Sequence, residues 1–186
     1  MKQLTEQLDL FQKGLKNTPL CTNNFEHGVY RLRAEQALEK RYIQHNHDNE
    51  KLWLVYDIDR AIHPLDIENE LLLPPCNLFI QNPESEYAHV AYSLKVPIHV
   101  NTNSSQKVLR YASAIDCAYQ EKLKADRGYA GLIMKNPLNT HWITSQHMPN
   151  SYDLGDLASY VDLKKWSDRR VKLDYGLGRN ITLFNK

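Results

Sequence analysis

The chain has 186 residues, 42% of them hydrophobic and 24% charged, with a formal net charge of +1. That length and composition suit one soluble globular domain with a sizeable core. There is no apolar run near 18 residues, so no membrane span is expected. Cys21, Cys76 and Cys117 are odd in number and widely spaced, which argues against a zinc ribbon or a disulfide framework and for a reducing, cytoplasmic setting. Charge is unevenly placed: Asp48 to Glu70 holds seven acids against two bases, and Lys164 to Lys186 seven bases against two acids. An acidic centre with a basic C-terminal segment would suit a metal site beside a polyanion groove, though a patchy surface would look the same.

Leu4, Leu8, Phe11 and Leu15 predict a first helix over 3–16, and a stretch rich in Arg, Ala, Glu and Leu predicts a second over 30–40. Arg41 to Asn46 reads as a short strand, and the polar cluster His45 to Asp48 as a loop with no zinc-ligand spacing. A strand over 52–58 follows. His63-Pro64 opens a short helix running to about Leu73, which Pro74-Pro75 stops. Strands are predicted over 77–81 and 88–96. The second of these should set His89, Ala91 and Ser93 on one face and Val90, Tyr92 and Leu94 on the other. The clearest helix spans 106–124, with Val108, Tyr111, Ala112, Ile115, Tyr119 and Leu123 as its apolar stripe. A short apolar run, 130–134, precedes Lys135-Asn136-Pro137. One more helix is expected over 154–160 and a last strand over 181–184. The order of elements is mixed, an α+β pattern.

The feature richest in chemistry is Leu52-Trp53-Leu54-Val55-Tyr56-Asp57-Ile58-Asp59. Side chains alternate along a strand, so Trp53, Val55, Asp57 and Asp59 share one face, with two carboxylates at its exit. Like charges on one face repel unless a cation sits between them, and Mg²⁺ is commonly held by one or two carboxylates plus substrate phosphates. Polymerases, some nucleases and sugar-nucleotide transferases all use such a pair, and two solvated acids at a strand end would read alike. His89 could hold a triphosphate oxygen or be a structural strand histidine. Lys135 could neutralise phosphate or merely close a strand. Gly176-Leu177-Gly178-Arg179-Asn180 brings a flexible backbone and a forked donor near each other, but no convincing helix follows, so it is neither a P-loop nor a dinucleotide fingerprint.

Taken together, Arg41 to Asn46, Leu54 to Arg60, Ala88 to Pro97, Tyr129 to Pro137 with Trp142, and Gly176 to Asn180 running into Thr182-Leu183-Phe184 resemble the plasmid replicase (Rep) family. These are the initiator-primases of colicin-type theta plasmids. The resemblance covers about residue 30 to the end. It implies an archaeo-eukaryotic primase core: a catalytic lobe like an RNA-recognition module, with a mixed or antiparallel sheet, against a smaller N-terminal unit. The chain is then expected to be a single catalytic domain of two parts, about 1–50 and about 51–186, lacking the family's C-terminal origin-binding region.

The implied activity is template-directed nucleotidyl transfer that makes a primer at a plasmid origin. The resemblance casts Asp57 and Asp59 as the first motif and His89 as the second, with Tyr87 standing where a small residue is usual. The third motif, a late carboxylate, falls on Asp126 first and Asp153 second. These acids would hold two Mg²⁺ or Mn²⁺ ions. His89, Lys135, Arg179 and Asn180 would grip a nucleoside triphosphate. Lys164, Lys165, Arg169, Arg170 and Lys172 would track a single-stranded DNA template, with Trp166 or Tyr175 stacking on a base. A host DNA polymerase is a further expected partner, in a bacterial cytoplasm. The alternatives are a non-catalytic DNA-binding initiator module and a nucleotide-sugar transferase.

Overall fold

The computed structural model describes residues 6–101 and 103–167. Two four-stranded antiparallel sheets face each other. The first has the order β2-β1-β3-β7, from Tyr30–Arg31, Leu20–Thr22, Tyr42–Gln44 and Ile133–Lys135. The second has the order β4-β6-β5-β8, from Glu50–Ile58, Ala88–His99, Leu78–Gln81 and Ile143–Gln146. The strand β7 comes late in the chain yet completes the sheet begun by residues 20–44.

The alternation of β4 and β6 organises the interior. Leu54, Tyr56 and Ile58 share one core with Val90, Tyr92 and Leu94, and α4 (Gln106–Leu123) covers that face with Leu109, Ala112, Ile115, Tyr119 and Leu123. Tyr56 stacks on Tyr119, ring centroids 6.0 Å apart, and Tyr92 meets Tyr119 edge-on. Trp53, Val55 and Ala91 point the other way, into a second core with Cys21, Ile43 and Met134 of the first sheet and Phe11 of α1 (Glu6–Lys13). The layers are therefore helix, sheet, sheet, and the faces of β6 fall as the alternation predicts.

Several expectations need correcting. The helix expected over 30–40 is a short strand, β2, followed by one helical turn, α2 (Ala34–Ala37). Pairing of Tyr30 and Arg31 with Cys21 and Leu20 overrides the local helix propensity. On α4, Val108 and Tyr111 are 45% and 39% exposed, whereas Leu109 is buried. The buried stripe is Leu109, Ala112, Ile115, Tyr119 and Leu123; Val108 lies within about 20° of Ile115 around the helix but sits in the first turn of α4, where it is left exposed. Strand β6 runs on through Pro97 to His99. The amides of Ser93 and Lys95 point away from β4, toward Asn77 and Tyr152, so Pro97 lacks only a donor on a side where no ladder runs. The strands β1, β2 and β8 were not expected, and the helix α5 is Leu154–Ala158. The strand expected over 181–184 lies outside the described residues.

The two sheets are joined at one point by Asn46. The register of β4 against β6 slips between Lys51 and Trp53. There the Asn46 side-chain carbonyl accepts from the amides of Leu52 (2.8 Å) and Trp53 (2.9 Å), while its amide donates to the Trp53 carbonyl (2.8 Å). The polar loop expected at 45–48 is thus the brace of a β-bulge.

Asn136 makes a similar brace at the end of β7. Its side-chain amide donates to the carbonyls of Leu38 and Lys40, both at 2.8 Å, and its carbonyl accepts from Leu138 N–H at 3.1 Å, in a fully buried position. Asn136→Ala strands those backbone groups. It should lower stability by about 2 kcal/mol, seen as a shifted denaturant midpoint with unchanged slope.

Candidate active site

The site forms where β4 ends. Asp57 lies directly across from His89 in the β4–β6 ladder. Helix α4 closes at Lys124 in a left-handed conformation (φ 50°), and the chain turns back so that the Asp126 amide donates to the Asp57 carbonyl at 2.8 Å. That backbone bond sets Asp126 beside the β4 pair. Ligand oxygens of Asp57, Asp59 and Asp126 all lie within 4.8 Å of one another. Asp153 is elsewhere: it begins α5 and pairs with Lys95, six residues along β6 from His89, roughly 20 Å of strand.

The Asp126 carboxylate also accepts from Gly128 N–H at 2.8 Å, an Asp-x-Gly turn just past the helix. A Cβ on Gly128 would sit 3.2 Å from Asp126 Oδ1 and 3.3 Å from Oδ2. Gly128→Ala should therefore nudge this carboxylate and weaken Mn²⁺ binding several-fold while the melting temperature holds, as calorimetric titration would show.

His89 and Lys135 brace Asp57 from the other side. Lys135 N–H, at the free edge of β7, donates to His89 Nδ1 at 3.1 Å. A backbone amide can only donate, so the ring proton is on Nε2, which faces Asp57 Oδ1 at 3.1 Å. Lys135 Nζ lies 3.5 Å from the same oxygen and 5.9 Å from the Trp142 ring centroid. Both side chains are buried, His89 at 3% and Lys135 at 6% exposed. The Tyr129 ring packs edge-on to His89, centroids 5.1 Å apart, and its hydroxyl donates to the Ile133 carbonyl at 2.9 Å.

These contacts set the charges. Burial raises the Asp57 carboxyl, but the His89 hydrogen bond and the positive charge of Lys135 outweigh it and hold Asp57 below the usual carboxylate range. Burial lowers His89 and Lys135, with Asp57 opposing in each case. Asp59 is raised, by desolvation first and then by the charges of Asp57 and Asp126. The apposed acids thus carry the repulsion that a cation relieves.

The structure brings together five of the residues singled out in the sequence: Asp57, Asp59, Asp126, His89 and Lys135. Both ring nitrogens of His89 are engaged within the protein, Nδ1 by the Lys135 amide and Nε2 by Asp57. Lys164 and Lys165 lie on α6 (Lys164–Ser167), where Lys165 pairs with Glu121 of α4. Arg169, Arg170, Lys172, Tyr175, Arg179 and Asn180 lie outside the described residues, as does the Trp166 side chain. Asn136 was missed as a brace; the signal was an Asn before Pro at the end of an apolar run, which reads as an ordinary turn.

The arrangement of these two antiparallel sheets is the fold of an archaeo-eukaryotic primase (AEP) domain. The AEP domain of the cyanophage S-2L primase-polymerase (PrimPol) superposes with a TM-score of 0.59 over 84% of this chain and 95% of that one, at 11% identity. The Replicase family model matches residues 14–161, and the chain belongs to that family. No curated protein is significantly similar in sequence. Among the described residues no helix is long and apolar enough to cross a membrane.

Proposed function

We propose that this chain is a replication primase: a template-directed nucleotidyltransferase that makes a short primer, at a plasmid origin in its natural setting. The observation that carries this reading is the convergence of Asp57, Asp59 and Asp126 on one point, with Lys135 and His89 behind Asp57. Family membership and the shared primase fold support it.

The donor set fits a hard divalent ion. All three ligands are carboxylates, which suit Mg²⁺ or Mn²⁺. Asp57 directs Oδ1 to His89 and Lys135, and no hydrogen bond among the described residues occupies Oδ2. Two such ions, when bound, would neutralise charge at the attacking and leaving oxygens. In the reaction a 3′-hydroxyl oxygen bonds the α-phosphorus of a nucleoside triphosphate, the bond to the bridging oxygen breaks, pyrophosphate leaves, and the hydroxyl proton passes to solvent. The residues of the chain supply position and charge. Asp126 is pinned by a backbone bond, Asp57 is oriented by His89, and the Lys135 ammonium adds positive charge behind Asp57. In this reading the basic residues of 164–186, Arg179 among them, supply positive charge for triphosphate and template contacts, and Asn180 a neutral hydrogen-bonding amide.

The test is incorporation of labelled nucleotide by the purified chain on single-stranded template with Mg²⁺ or Mn²⁺. Template binding without incorporation, across both metals and both ribo- and deoxynucleotides, overturns the enzyme in favour of a non-catalytic initiator module.

A further inference from the structure

Tyr87 stands on the rim of the acid cluster and has no part in the chemistry described so far. It precedes β6 by one residue and His89 by two. Asn82 N–H donates to the Tyr87 carbonyl at 2.9 Å, one step beyond the Gln81–Ala88 pair, so the hairpin is still paired at Tyr87 and the alternation of β6 holds there. Tyr87 thus falls on the face that carries His89, roughly 7 Å along the strand. On the other side, the β4–β6 ladder runs through Asp57–His89 and ends at Ile58–Ala88, so Asp59 and Tyr87 are the residues that directly follow and precede its last pair. The turn that delivers it is specific: Glu86 adopts a left-handed conformation (φ 61°), and its amide donates to the Asn82 carbonyl at 3.0 Å. The residue so placed is a large aromatic, 41% exposed.

We propose that Tyr87 is a stacking platform for the base of the incoming nucleoside triphosphate. The inference rests on the nucleotidyl-transfer reading. A triphosphate anchored at Asp57, Asp59 and Asp126 places its base one sugar away from the acids, and Tyr87 borders Asp59 on that rim. A π-face accepts any base, so the platform adds affinity without sequence preference.

The test compares equilibrium binding of a nucleoside triphosphate with that of inorganic tripolyphosphate, which shares the phosphates and lacks the base, both with Mg²⁺ and without template. The unmodified chain should prefer the nucleotide roughly tenfold, Tyr87→Ala should erase that preference, and Tyr87→Trp should keep it. Tripolyphosphate affinity should be the same in all three, which also shows that the variants are folded. If Tyr87→Ala leaves the preference intact, or weakens binding of single-stranded template in place of nucleotide, the platform is overturned while the phosphate site stands. If neither ligand binds the unmodified chain, the parent reading fails and takes this one with it.

Discussion

Asp57→Asn should abolish nucleotide incorporation, by at least about a thousandfold, and leave the fold in place. The size follows from how much converges on this side chain. Asp57 shares a point with Asp59 and Asp126, and its Oδ1 meets both His89 Nε2 and Lys135 Nζ. An amide keeps the shape but removes the charge that holds a divalent ion and that balances a buried ammonium. Losing one preorganised electrostatic group costs about 10²–10³ in rate at many sites, and a lost metal ligand removes the ion's contribution as well. Lys135 is 6% exposed and would be left without its carboxylate partner, so a stability loss of about 1–3 kcal/mol should accompany the change. Lys135→Met in the same background should recover that stability without recovering incorporation. Primer extension with Mg²⁺ and Mn²⁺, read beside a thermal melt, separates the two effects. Extension at the unmodified rate by Asp57→Asn would sink the metal assignment.

What was legible in advance divides along local and non-local lines. Strand alternation alone placed Asp57 with Trp53 and Val55, and His89 with Ala91, because those periodicities sit inside single strands. That Asp57 and His89 face each other depends on the register of two strands thirty residues apart, which periodicity does not carry. Asp126 was nameable as an acid after the long helix; its bond to the Asp57 carbonyl arises from a left-handed turn at Lys124, a non-glycine residue with no turn signal of its own. The strands β1, β2 and β8 have two to four residues each, too few for alternation to show, and pairing rather than propensity makes them. The engagement of both His89 nitrogens was equally out of reach, because one partner is a backbone amide on β7, 46 residues away.

Acid should loosen the sandwich through His45. This residue follows β3 directly, 3% exposed, and its Nδ1 has no hydrogen-bond partner. Burial first, then electrostatic interaction with His89 and Lys51, lowers it from 6.5 to about 3. In the unfolded chain the ring takes a proton near pH 6.5; in the folded chain it stays neutral until about pH 3. The unfolded state therefore binds more protons across that window, so stability is full above pH 6.5 and falls as pH drops through it. By pH 4 the loss from this one group is about 3 kcal/mol, a large share of a typical domain's margin. His89, also lowered by burial, adds in the same direction. His45→Leu removes the titration and an unpaired buried nitrogen together. Its unfolding free energy at pH 7 should match or exceed that of the unmodified chain, and the gap should widen by about 3 kcal/mol at pH 4. Urea unfolding of both chains from pH 4 to pH 8 measures this. Parallel curves would mean that His45 is not the group that acid attacks.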